Sequence, residues 1–178
     1  MLQCPHMGTS LSQIDSLRII SALLACRGLH EFDRTLSHEL VTTLPCDLVG
    51  FYLYSETANA FAPVSDLLTN PDSPGYLIGQ LPAEGTMKEA VVRRSQALLE
   101  NNLATSPWAE AVVLKTAPFQ TASVLTAPLP VMTPTGSQPP RTIAIMVAIA
   151  IGKANAFTED DRLFLEQLGA QLGPVLHR

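Results

Sequence analysis

Apolar residues recur at three- and four-residue steps through the first quarter of the chain. Leu11, Ile14, Leu17, Ile20 and Leu24 make one such stripe, which predicts an amphipathic helix. Ser10 and Gln13 ahead of it have the spacing of a capping box, in which each side chain satisfies a free backbone N–H. Gly28 is placed to close this helix as a C-cap. Phe32, Leu36, Leu40 and Leu44 then stand four apart and predict a second helix, stopped by Pro45. The run LVGFYLY from Leu48 to Tyr54 is too short for a helix and rich in strand formers, so it reads as a buried strand. A turn at Glu56–Asn59 and a second strand from Ala60 to about Val64 complete an antiparallel hairpin.

Periodicity fades between Ser65 and Gly85, a connection of a length usually kept for function and a candidate lid. Gly85 and Thr86 open a helix running through Met87, Ala90 and Val91 to about Ser95, and Ala97–Leu99 reads as a short strand. Trp108 to Leu114 suits a further helical turn or two. Thr121 to Leu129 is a strand that Pro128 and Pro130 are expected to end, and Thr133–Pro140 is a polar hairpin loop. Thr142 to Ile151 is apolar throughout, as a central strand covered on both faces would be. Thr158 caps the closing helix with Asp161 at the N3 position, and Leu165, Leu168, Leu172 and Val175 form its stripe. This order of elements lacks strict strand–helix alternation and predicts an α+β fold with a mainly antiparallel sheet. Residues 1–9 have no periodicity and read as a loose leader before one domain at 10–178.

Composition narrows the function. The 178 residues are 47% hydrophobic and 15% charged, enough apolar material for a real core and too much for disorder. Eleven basic against 16 acidic residues give a formal net charge of -5, which disfavours nucleic acid and anionic membranes as partners. No apolar run reaches the ~20 residues of a membrane span, and a soluble, cytoplasmic protein is expected. Cys4, Cys26 and Cys46 are odd in number and widely spaced, which suggests neither a disulfide framework nor a thiolate zinc site.

Four segments resemble the GAF domain, a small sensor module related in architecture to PAS domains. They are the hairpin Leu48–Ser65, the stretch LPAEGTMKEAVVRRSQALLENNLAT from Leu81 to Thr105, the strand TASVLTAPL, and the Phe-Thr-x-x-Asp opening of the closing helix at Phe157–Asp161. The resemblance spans residues 10 to 178. One departure is Ile143-Ala144-Ile145 where the family usually places a glycine, after a long loop. The resemblance implies a central, mainly antiparallel sheet of about five to six strands, with the N- and C-terminal helices packed on one face.

The same resemblance frames the chemistry. The sequence has no nucleophile elbow, phosphate loop, zincin motif or dinucleotide fingerprint. The enzymatic branch of the family reduces free methionine sulfoxide with cysteines around the variable loop and the following helix, and this chain has no cysteine after Cys46. A non-enzyme is therefore expected, with no bilin attached. His30 and His38 stand about 12 Å apart along a helix, too far to share a metal ion. Arg93 and Arg94 read as solvated charges near a helix end. Binding is what remains, and the ligand's identity, like any cofactor, is left open. Ser65, Asp66, Asn101, Asn102, Thr121 and Ser123 are the polar candidates for orienting a small molecule, with Phe51, Tyr76, Trp108 and Phe119 as apolar walls. Leu11, Ile14, Leu17, Leu165, Leu168 and Leu172 resemble the terminal-helix stripes through which such domains dimerise or meet a signalling partner. The expected function is a sensory, regulatory module. A sulfoxide reductase and a ligand-free docking scaffold are the alternatives.

Overall fold

The computed structural model describes residues 11–64, 81–108, 122–132 and 140–177, with backbone alone at 11–13 and 81. The leader, the Ser10–Gln13 pair, the connection at 65–80, the helical turns expected after Trp108 and the loop at 133–139 lie outside the described residues. In chain order the elements are α1 (Leu11–Leu24), α2 (Leu29–Thr43), β1 (Leu48–Ser55), β2 (Ala60–Pro63), β3 (Leu81–Pro82), α3 (Met87–Arg94) and β4 (Leu98–Glu100). A 3₁₀ turn (Leu103–Thr105), β5 (Ser123–Val131), β6 (Arg141–Ala150) and α4 (Glu159–Leu176) follow. The strands form one six-stranded antiparallel sheet in the order β3-β2-β1-β6-β5-β4.

Both faces of the sheet are covered, and β6 shows how. Ala144, Met146, Ala148 and Ala150 enter a core shared with α1, α2 and α4, while Ile145 and Val147 enter a second core with α3. An apolar run with two-residue alternation of this kind is what a central strand needs. The fold is α+β, with the terminal helices on one face as anticipated.

The four-residue spacing in α2 works out as expected: Phe32, Leu36 and Leu40 are buried, and Leu44 follows them inward. Leu44 is extended, as the residue before a proline prefers to be, so the helix ends there. Gly28 is a correction. It does not close α1, which finishes at Leu24 with Ala25 and Cys26 bonding back to Ala22 and Leu23. In extended backbone (φ −171°), Gly28 instead opens α2, and since glycine has no capping side chain, Glu31 reaches back to the Arg27 N–H at 2.8 Å. The cap at α4 matches its sequence signature: the Asp161 N–H donates to Thr158 Oγ1 at 3.2 Å and the Thr158 N–H to Asp161 Oδ2 at 2.8 Å.

β5 passes through both prolines instead of stopping at them. Its β4 partner covers only Val124 to Thr126, so Pro128 and Pro130 lie beyond that ladder, where a missing N–H costs no β4 bond. The β5–β6 register shifts between Leu129 and Pro130. Over this stretch α4 lies backbone to backbone with the strand. A methyl group on Gly169 would sit 2.2 Å from the Pro128 carbonyl oxygen, and one on Gly173 2.0 Å from that of Pro130. These two glycines let Leu165, Leu168 and Leu172 sink fully into the sheet of their own chain. Those three leucines, expected at a surface between copies, are core residues.

Gly169→Ala and Gly173→Ala should each destabilise the fold by about 1–3 kcal/mol, because the clashing atoms are backbone and cannot rotate away. Chemical denaturation of the purified variants checks this, and a change below a few tenths of a kcal/mol in both would contradict the close approach.

Candidate functional site

The second face of the sheet is built separately from the first. Tyr52, Phe61, Val124, Ile145 and Val147 supply its floor, Met87 and Val91 of α3 cover it, and Leu103 closes one side. α3 is fixed at its start by Thr86, whose hydroxyl accepts the Glu89 N–H at 3.1 Å, while Glu89 accepts the Gly85 N–H at 2.9 Å. Lys88 places its ammonium 5.3 Å from the Tyr52 ring centre. Trp108 is half-buried and packs against this same cluster.

The expected ligand-lining residues divide on this structure. Trp108 is on the second face. Phe51 is fully buried in the other core, its ring 5.6 Å from that of Phe32, so it faces the helices. Ser65, Asp66 and Thr121, with Tyr76 and Phe119, lie outside the described residues.

The remaining polar candidates are tied into structure. Asn102 caps the 3₁₀ turn, its Oδ1 accepting the Ala104 N–H at 3.1 Å. Ser123 is fully buried; its hydroxyl lies 2.8 Å from the Lys153 carbonyl and 3.0 Å from that of Asn101, and accepts the Ala156 N–H at 3.2 Å. Asn101 pairs its side-chain amide with the Phe157 backbone in both directions, at 3.0 and 3.3 Å. Asn101 and Ser123 therefore knot the end of β4 to the loop that leads into α4. Asp47 completes that end of the sheet. It accepts the Ile151 N–H at 2.8 Å, which together with Lys153 holds its carboxyl below the usual carboxylate range.

Sequence reasoning missed a cleft of about 480 Å³ at the β4 rim. Gln96 to Leu99 and Asn101 form one side, and Glu159, Arg162 and Glu166 of α4 the other. Ala97 is gripped there like a residue of an inner strand. Its N–H donates to Glu166 Oε2 at 2.6 Å, and its carbonyl accepts from Arg162 Nη1 at 3.3 Å. Arg162 also bonds Glu159 at 2.7 Å and Glu166 at 2.9 Å. The 3-4-residue spacing of Glu159, Arg162 and Glu166 was a visible signal of one helix flank, but nothing in sequence tied that flank to Ala97, 65 and 69 positions away.

Both described thiols lie on the helical side. Cys46 is buried, with its sulfur 3.7 Å from the Leu40 carbonyl; burial first and the neighbouring Asp47 charge second push its thiol up to about 11. Cys26 is half-buried, 3.4 Å from the Thr35 hydroxyl. Among the described residues, no cluster of three or more histidine, cysteine or acidic groups is arranged to hold a metal ion, and no helix is long and apolar enough to cross a membrane.

No family model matches the chain, and neither does any curated protein sequence. Solved structures do resemble it. The GAF domain of a phosphoenolpyruvate-protein phosphotransferase from Acinetobacter is 19% identical with a TM-score of 0.68, over 95% of this chain and 94% of that one. The GAF domain of the Coxiella burnetii phosphoenolpyruvate-protein phosphotransferase (ptsP) is 15% identical with a TM-score of 0.71, over 93% of each. A free methionine-R-sulfoxide reductase from Neisseria meningitidis, solved with its substrate, is 16% identical with a TM-score of 0.69, over 99% of this chain and 94% of that one. The chain thus has a GAF-like fold, one shared by GAF domains of phosphotransferases and by a free methionine-R-sulfoxide reductase.

The Cys46 environment gives a direct prediction. At pH 8 its thiolate should be about 100-fold scarcer than that of an ordinary thiol, the shift being from 9.0 to about 11. Since the folded state prefers the neutral thiol, this contribution to stability is complete below pH 9 and is lost as pH rises through about 11. Iodoacetamide labelling read by mass spectrometry should modify Cys26 well before Cys46, with Cys46 catching up only in denaturant. Equal rates in the native protein would contradict the burial.

Proposed function

We propose that this GAF-like domain is a non-enzymatic sensory module that binds a small molecule on the second face of its sheet and signals through its terminal helices. The observation that carries the reading is the inequality of the two faces. One is sealed by three helices; on the other, the described cover is α3, the 3₁₀ turn and a half-buried tryptophan. Of the polar candidates, Thr121 directly precedes Ala122 of the second core in sequence, and Trp108 supplies an aromatic wall. A ligand there would bias the packing of α3 against the sheet, with a coupling of the order of 1–3 kcal/mol if the domain is typical.

The output surface in this reading is α1. It packs on α2 and α4 and turns Ile14 (62% exposed), Leu17 (65%) and Leu24 (59%) away from them. A stripe of this kind suits a homodimer or a signalling partner. Net charge and the lack of an apolar spanning helix among the described residues support a soluble, cytoplasmic setting without nucleic acid.

A second reading, reduction of a small sulfoxide, is favoured by the likeness to methionine sulfoxide reductases. It would need Cys26 or Cys46 as the attacking sulfur. Against it stand the raised pKa of Cys46 and the location of both described thiols on the helical side of the sheet.

The deciding experiment is a thermal-shift screen with cyclic nucleotides, nitrate, amino acids and oxo-acids, followed by fluorescence of Trp108, the chain's only tryptophan. A ligand at 100 times its dissociation constant should add about 2.7 kcal/mol of stability and perturb the indole emission. No stabilisation, together with dithiol-dependent sulfoxide turnover that Cys26→Ser or Cys46→Ser abolishes, would overturn the sensor in favour of the enzyme. For the output surface, Leu17→Glu should weaken self-association at least about tenfold in sedimentation equilibrium. A chain that is monomeric before the substitution would contradict the homodimer.

A further inference from the structure

The cleft at the β4 rim has a chemistry of its own, independent of any ligand on the second face. In the antiparallel β4–β5 ladder, residues alternate between those bonded to the neighbouring strand and those turned outward. Ala97 is outward, its N–H and carbonyl taken by Glu166 and Arg162. Asn101, the residue after the ladder, has its carbonyl taken by the Asn155 N–H at 2.9 Å and the Ser123 hydroxyl. The alternation turns Leu99, midway between them, to the same side. Leu99 is also one of the residues that line the cleft.

Two features select the occupant. The closures at Ala97 and Asn101 leave room for pairing with one residue, so an added strand would have to expel both, whereas a compact molecule would not. The free polar atoms are also mostly acceptors. Arg162 spends its donors on Glu159, Glu166 and the Ala97 carbonyl, while Glu166 Oε1 and the second oxygen of Glu159 engage nothing else among the described residues. A matching molecule carries a cationic donor and a carbonyl acceptor spaced like the N–H and C=O of a single residue.

We propose that the cleft binds a compact α-amino amide, the chemistry shared by a free amino-acid amide and the first residue of a peptide. Its ammonium, charged at pH 7 because an α-amino group titrates near ~8, donates to the Leu99 carbonyl and lies beside the carboxylates of Glu159 and Glu166. Its carbonyl accepts the Leu99 N–H. A free amino acid is disfavoured, because its own carboxylate would enter a site that stays net negative, Arg162 offsetting only one of the two carboxylates.

The test is titration of the ¹⁵N-labelled chain with L-alaninamide, read at the Leu99 amide. A saturable shift at Leu99, with little response at the Trp108 indole, is expected. N-acetyl-L-alaninamide, which lacks the ammonium, and L-alanine should both bind several-fold more weakly. Glu159→Gln should weaken L-alaninamide about two- to fivefold, the range of an exposed charge pair, with the rest of the spectrum unchanged. Trialaninamide binding more tightly than L-alaninamide identifies a peptide terminus as the source, and equal affinity a free amide. An unmoved Leu99 amide at millimolar excess, or equal shifts from the acetylated probe, would overturn the proposal.

Discussion

The close approach of the α4 backbone to β5 is the contact on which the rest of the molecule is registered. Arg162, Glu166, Gly169 and Gly173 follow one another by four, three and four residues, so they share a single flank of the helix. Where the flank meets backbone carbonyls of β5 it carries no side chain; where it passes the rim it carries an ion pair that holds Ala97. The same docking pushes Leu165, Leu168 and Leu172 into the helical core. A bulkier flank would lift the helix, and with it the rim contacts and the loop knotted by Ser123 and Asn101.

Much of this was legible in the sequence wherever the cause is local. The four-residue spacing of Phe32, Leu36, Leu40 and Leu44, the Thr158–Asp161 cap and the unbroken apolar run of β6 each lead to what is observed, because periodicity and capping act over a turn or two. The failures share a different cause. Gly28 and the two prolines of β5 were assigned by residue type, but their roles depend on which partner arrives from elsewhere: a glycine is as acceptable at an extended N-cap as after a helix, and a proline is tolerated once its neighbouring strand has ended. The stripe on α4 was visible, yet its partner was not, since an apolar stripe fits an internal sheet as well as a second copy. Of the candidate site residues, Trp108 packs against the second core, while Asn102 and Ser123 are capping and cross-linking groups.

The division of labour between the two faces bears on how a single fold can host both GAF domains and reductases. A sheet sealed on one side by helices leaves its other side free to vary in cover without disturbing the first core. Here both described thiols fall on the sealed side, and one of them is held in the neutral form. Reactivity at sulfur needs an accessible thiolate, and the two described thiols are separated from the second face by the thickness of the sheet.

The rims of the sheet carry a last implication. The outermost strands among the described residues, β3 and β4, are two and three residues long, and β4 is further blocked at both ends by side chains from α4 and by the loop before it. Templates this brief give a newly made neighbouring chain almost nothing to zip onto. Edge-to-edge pairing at these described rims is therefore a poor route for one crowded copy to grow onto the next.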